Sequence, residues 1–295
     1  MTNDALPERP AVVVCSAEQR PAARLGNADV PVRAPRRTGR AGRLSRYVAV
    51  HRTAGSLAGR VAAEAVGTGL LVTVAVGSGI QAAALSQDAG VQLLAGSLAA
   101  VFGLGVLLTL LGPVSGGHLN PAVTLCAWYV GRRHGTGPTV RDVAAYIPAQ
   151  VAGGIGGAVL ADAMFARPVL RLSTHERFAG HLWLGEAVAT AGLILLVVGL
   201  ERTGRAGLTP AAVACYLGSA CWFTSSTAFA NPAMTIGRAL TDSATGIAPA
   251  SVAPFVGAQL IGAAIGLGTV AILYGRVPRT ADGTEPPGRP ESSGH

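Results

Sequence analysis

The residues with the most chemical potential sit in two runs. The first reads Ser115-Gly116-Gly117-His118-Leu119-Asn120-Pro121-Ala122-Val123-Thr124, the second Phe229-Ala230-Asn231-Pro232-Ala233-Met234-Thr235-Ile236-Gly237-Arg238. Both carry Asn-Pro-Ala after a long apolar run. Asn caps a helix with its side-chain oxygen, and Pro suits the first helical position because its missing N–H would be unpaired there. Each triplet therefore predicts the start of a short helix. Two such starts in an apolar chain predict two half-helices entering a membrane. The chemistry on offer is hydrogen bonding rather than bond-making. No nucleophile–base pair and no metal-binding cluster is visible, so neither an enzyme nor a cofactor is expected. The four cysteines (Cys15, Cys126, Cys215, Cys221) are spaced for neither a metal nor a disulfide framework. Cys221, close to the second triplet, reads as a packing residue in preference to a pore-facing one. The run from Ala11 to Cys15 followed by Arg20 faintly matches a phosphatase phosphate loop, but its spacing is short and no βαβ unit surrounds it.

Two acids, Glu64 and Glu186, lie inside apolar stretches. A charge at mid-membrane costs roughly 2.5–3.5 kcal/mol even on the lenient insertion scale, so each needs partners. One reading is an ion site or proton relay. The other is that each carboxylate accepts backbone N–H groups of the loop in its own half. The acids repeat together with the loops, which favours the second.

The elements that must position these residues are membrane helices. Half of the 295 residues are hydrophobic and 13% are charged, against about a quarter charged in a soluble domain. The 40 glycines suit close helix packing. The net charge of +8 comes largely from Arg in the first 60 residues and in short loops. Without a stripe of interleaved aromatics it speaks for positive-inside topology and against nucleic acid. Six segments reach the roughly 20 residues needed to span a bilayer: about 61–84, 91–111, 143–165, 182–200, 207–224 and 250–274. The triplet segments, about 119–129 and 231–240, are too short to span and would dip in and return. Residues 1–58 form an Arg- and Pro-rich tail expected to be disordered and cytoplasmic, with no cleavable signal pattern. The channel-forming part covers 59–276, and 277–295 is a second polar, disordered tail on the same side. The loop 166–181, with Arg167, Arg171 and Arg177, falls on the opposite side as an exception to the charge rule.

The chain repeats internally, over about 59–165 and 182–274. Glu64-Ala65-Val66 continues through Thr68, Leu71, Val76 and Gly77; Glu186-Ala187-Val188 continues through Thr190, Leu193, Val198 and Gly199. Ala149-Gln150 with Gly153 is echoed by Ala258-Gln259 with Gly262. Three spans per half put the halves in opposite orientations, which makes an inverted repeat with its site near the midplane. The fold class is therefore an all-α membrane protein with six transmembrane helices and two re-entrant half-helices.

From about residue 60 to 274 the chain resembles the aquaporin, or major intrinsic protein, family. The resemblance rests on the two triplets, the Ser-Gly-Gly-His lead-in, Glu64, Glu186, Gln150 and Gln259. It implies that the half-helices meet end to end at mid-membrane, and that four protomers assemble with one pore each. Asn120-Pro121-Ala122 and Asn231-Pro232-Ala233 would line the pore, with positive helix ends pointing inward and amide N–H groups offered to a passing oxygen. Gln150 and Gln259 would prop the loops beside the two acids. His118 would line the cytoplasmic side.

The chain departs from the family at the outer filter. Arg usually follows the second triplet; here it is Met234. The other filter positions become Ala228 and Ser219, and on the second span Ala100 by direct counting or Phe102 by matching the local Phe-Gly-Leu-Gly pattern. Such a filter is neutral and lacks a fixed guanidinium. Thr235 stands where glycerol facilitators carry Asp. The expected cargo is water and small uncharged solutes: glycerol, urea or arsenite-like hydroxides. Arg238, four residues past Met234, would either supply a displaced positive charge at the outer mouth or snorkel or pair with a neighbouring loop. The rival class is an ion-coupled secondary transporter with inverted repeats, which would need an ion site. The expected setting is the plasma membrane.

Overall fold

The computed structural model describes residues 55–132 and 135–275. Most of the expected N-terminal tail and the C-terminal tail from 277 lie outside the described residues. Ser56 accepts from the Gly59 N–H at 3.2 Å and caps the first described helix. Among the described residues there are eight α-helices: α1 Leu57–Leu85, α2 Ala89–Ser115, α3 Pro121–Gly131, α4 Val140–Met164, α5 Gly180–Arg202, α6 Thr209–Phe223, α7 Pro232–Arg238 and α8 Pro249–Tyr274. A short 3-10 turn, Ala206–Leu208, leads into α6. Six helical stretches are long and apolar enough to cross a membrane; α3 and α7 are the two short ones between them.

Local chemistry sets the boundaries. Asp88 caps α2 through the Val91 N–H at 2.9 Å. Thr139 and Asp142 form a reciprocal capping box on α4. Asn120 and Asn231 cap α3 and α7, each with Pro at the first helical position. Gly116, with φ of 97°, ends α2 in a left-handed turn that an L side chain would strain.

Packing reproduces the sequence repeat. A Cβ on Gly153 or Gly157 would lie 2.1 Å from the carbonyl oxygen of Ala65 or Gly69, so α4 crosses α1 backbone to backbone. In the second half, a Cβ on Gly262 or Gly266 would lie 2.3 or 2.5 Å from the carbonyl of Ala187 or Ala191, so α8 crosses α5 the same way. Lipid gives helices no hydrophobic drive to associate, so small residues that allow close van der Waals approach hold such crossings. The short helices exchange partners. Cys126 of α3 packs with Ile194, Val198, Ala263 and Val270 of α5 and α8. The α7 helix lies on α4, where a Cβ on Gly237 would meet the Gly154 carbonyl at 2.4 Å. Each half therefore grips the re-entrant helix of the other. Even the buried polar atoms left without a protein partner recur: Thr68 Oγ1 and Gln150 Oε1 in the first half, Thr190 Oγ1 and Gln259 Oε1 in the second.

Candidate functional site

The two triplets meet. Asn120 donates from Nδ2 to the Ala230 carbonyl at 2.8 Å, and Asn231 donates from Nδ2 to the Leu119 carbonyl at 2.7 Å. Each amide thus holds the residue just before the other triplet. Leu119 and Ala230 pay for this with left-handed backbone, at φ of 50° and 47°. The amide oxygens face back into their own helices. Asn120 Oδ1 accepts from the Ala122 N–H at 2.9 Å, and Asn231 Oδ1 from Ala233 and Met234 at 3.0 and 3.3 Å. Capping and facing the junction are therefore done by opposite ends of one side chain. The second N–H of each amide has no protein acceptor among the described residues, and each Asn keeps 5% of its surface open. The N-termini of α3 and α7 point at the same spot, and both helix ends are positive.

Both acids are fully buried and fully occupied. Glu64 accepts from Ser115 Oγ at 2.6 Å, the His118 N–H at 2.9 Å, the Leu119 N–H at 2.6 Å and Gln150 Nε2 at 2.7 Å. Glu186 accepts from the Phe229 and Ala230 N–H groups at 2.8 Å and from Gln259 Nε2 at 2.6 Å. Gln150 also donates to Thr124 Oγ1, and Gln259 to Thr235 Oγ1, each at 2.9 Å. Those hydroxyls donate in turn to the Asn120 and Asn231 carbonyls at 3.0 and 2.8 Å. An unbroken chain of bonds runs from each acid, through its Gln and Thr, to its triplet.

His118 is half-buried. Its Nδ1 is 3.1 Å from Thr124 Oγ1, and its ring meets Tyr146 edge-on at 5.8 Å.

The four filter positions read from sequence do not all come together. Ala228 and Met234, each 8% exposed, join Leu104, Leu107 and Leu108 of α2 and Val213 and Ala220 of α6 in one buried cluster. Phe102 does not join them: it is 69% exposed, on an outward stripe with Leu98, Val106 and Leu110. Two residues turn a helix by about 200°, so Ala100 falls on the inward stripe with Leu104 and Leu108. Phe102, given by the Phe-Gly-Leu-Gly match, thus lies away from the central cluster, and Ala100, given by direct counting, lies on the side that faces it. Ser219 is likewise on the outward side of α6, between Cys215 and Trp222. The inward side carries Val213 and Leu217, which pack on the central cluster. Cys221, one turn beyond Leu217, lies within electrostatic reach of Arg238.

Arg238 is 7% exposed. Its Nε donates to the Thr245 carbonyl, its Nη1 approaches Met234 Sδ at 4.0 Å, and its Cζ lies 3.5 Å from the Phe229 ring centroid. Arg177, which sequence reading treated only as a loop charge, reaches the same ring, with Cζ 4.9 Å from its centroid. No local pattern could have flagged it, because the loop 165–179 carries it there.

A family model, "Major intrinsic protein", matches residues 52–225. The chain belongs to that family. The match ends just before the second triplet, whose place comes from the geometry above. The aquaglyceroporin AqpS of Rhizobium meliloti is 46% identical over 208 residues, which cover 70% of this chain and 87% of that protein. The Aquaporin Z of Photorhabdus laumondii is 33% identical over 171 residues, 52% of this chain and 71% of its own. Among solved structures, the aquaglyceroporin from Plasmodium falciparum superposes with a TM-score of 0.56 at 17% identity, covering 74% of this chain and 97% of that one; at that identity the likeness speaks for the fold. The protein is thus a multi-pass membrane channel and not an enzyme.

Proposed function

We propose that the chain forms a passive pore for water and small uncharged solutes, with glycerol, urea and arsenite-like hydroxides as the candidate cargo. The observation that carries this is the junction at Asn120 and Asn231. Each amide keeps one N–H uncommitted where two positive helix ends converge. A neutral oxygen-bearing solute can accept from both donors, while a cation meets only donors and positive ends. Glu64 with Gln150 and Glu186 with Gln259 act as loop supports in this reading. All their carboxylate oxygens are already bonded, which speaks against the ion site a coupled transporter needs. His118 lines the inner approach. Met234, with Ala228 and Ala100, forms a neutral outer constriction wider than one closed by Arg. A relative named as an aquaglyceroporin at 46% identity supports a cargo larger than water.

The wider setting follows from the same reading. The protein sits in the plasma membrane with both termini cytoplasmic, and four copies assemble with one pore each. Residues 59–276 make the channel, and the tails at 1–58 and 277–295 lie outside it. The outward stripes of Leu98, Phe102, Val106 and Leu110 offer apolar surface for lipid or a neighbouring copy.

The test is stopped-flow light scattering on proteoliposomes, comparing water, glycerol, urea and arsenite. The expected result is faster equilibration than in empty liposomes for water and at least one larger neutral solute. No acceleration for any of the four would refute the pore.

A further inference from the structure

We propose that Arg177, from the loop before α5, and Arg238, from the end of α7, together form the positive element of the outer constriction that Met234 does not provide. The inference rests on the neutral-solute pore proposed above and assigns its cation barrier to a pair of residues from two different segments.

Both arginines are more than nine-tenths buried, at 9% and 7% exposed. Arginine on a membrane protein's edge normally snorkels its head into water, so burial of two side by side needs a cause. Neither forms an ion pair among the described residues. Arg177 donates from Nε to the Gly246 carbonyl at 3.0 Å and from Nη1 to the Ser226 carbonyl at 3.4 Å. Arg238 donates to the Thr245 carbonyl and approaches Met234 Sδ. Carbonyls and sulfur hold a guanidinium in place without neutralising it. Glu186 lies within electrostatic reach of both, but its oxygens bond the neutral groups of Phe229, Ala230 and Gln259 and pair with neither arginine. Its charge offsets one of the two, and the group stays net positive.

They sit beside the constriction. Both pack on the ring of Phe229, whose electron-rich face attracts cations. Phe229 is next in sequence to Ala228, and Arg238 touches Met234 itself.

The loop bearing Arg177 is fixed rather than trailing. The Ser173 N–H donates to the Ala239 carbonyl at 3.0 Å, and the Ala248 N–H to the His175 carbonyl at 2.8 Å. Thr174 bonds Asp242 Oδ1 through both its N–H and its hydroxyl, and the Arg177 N–H donates to Ser251 Oγ at 3.0 Å. These bonds lock the loop onto the segments flanking α7, so the two charges keep a set distance. A cation entering from this side meets both. A neutral polyol meets hydrogen-bond donors.

The experiment measures proton flux with an enclosed pH dye and glycerol flux by light scattering in the same proteoliposomes. The variants are Arg177→Gln, Arg238→Gln, the double Gln variant and Arg177→Lys. Glycerol flux reports that each pore is folded and open. Each single Gln change should raise proton flux about tenfold, the factor that ~1.4 kcal/mol of barrier represents, and the double change more than either alone. Arg177→Lys should stay as proton-tight as the wild type, because it keeps the charge. A double variant that passes glycerol yet remains proton-tight overturns the pair. So does an Arg177→Lys leak equal to that of Arg177→Gln, which would make Arg177 a loop staple only. If the double variant loses glycerol flux through misfolding, the single variants decide by the same readouts. Wild-type vesicles that pass no glycerol or other neutral solute would instead refute the underlying pore.

Discussion

At the scale of single residues, Glu64 and Glu186 show why a buried charge is kept. Each carboxylate accepts two backbone N–H groups of the loop that presents its triplet, and a neutral side chain cannot replace four lone-pair sites. Glu186→Gln places an NH2 group against N–H donors and leaves one unpaired. The expected loss is about 3 kcal/mol, read as a lower unfolding midpoint in detergent. An unchanged midpoint would mean the loop is held by something else. Asn231 does less for stability and more for alignment. Asn231→Ala removes a cap worth about 1 kcal/mol, and also the bond to the Leu119 carbonyl. Its expected signature is a modest midpoint shift with a disproportionate fall in solute flux. The acids and triplets were legible in sequence because they occur twice with the same spacing. Phe102 and Ser219 were not, because a shift of one or two residues turns a helical side chain to another face, and no repeat fixes that register on α2 or α6.

At the scale of elements, glycine placement decides which helices can touch. Gly153 and Gly156 are neighbours on α4 with opposite surroundings. A Cβ at Gly153 would collide with the Ala65 carbonyl, whereas one at Gly156 meets nothing within 4 Å. Gly153→Ala should push α4 off α1 and lower stability by ~3 kcal/mol or prevent folding. Gly156→Ala should be neutral or stabilising by up to ~1 kcal/mol. Thermal unfolding of the pair checks the crossing directly; equal effects would contradict it. Helix ends were legible to within a few residues, because Asn120 and Asn231 mark the starts of the short helices and apolar length marks the spans. The outer loop was not, since Arg171 and Thr174 meet Asp242 about 70 residues on. Asp242 is held below the usual carboxylate range by its bonds to Thr174, with Arg171 and Arg167 adding to the effect. A depressed pKa means the contribution is present above the unfolded value and lost as pH falls through the folded one. Exchange protection factors in residues 166–179 should therefore stay flat from neutral pH down to the ordinary Asp range, about pH 4, and fall only below it. A fall between pH 7 and 5 would assign the loop's anchoring to another group.

At the scale of the whole molecule, two inverted halves exchange their re-entrant helices and join them through two reciprocal amide–carbonyl bonds. The repeat made this architecture readable from Glu64, Gln150 and their echoes at Glu186 and Gln259. The selectivity was only half readable. Met234 announces the missing guanidinium, but the two arginines beside it arrive from α7 and from a loop some 50 residues upstream of the triplet. Met234 leaves a solute-wide gap among the filter side chains, and the positive charge at that level comes from Arg177 and Arg238 beside it. The most direct measurement is the ratio of glycerol to water permeability in proteoliposomes, for the wild type and for Met234→Arg. The wild type should pass both, and Met234→Arg should lose glycerol by about tenfold or more while water flux is largely kept. Equal glycerol-to-water ratios in the two proteins would contradict the account.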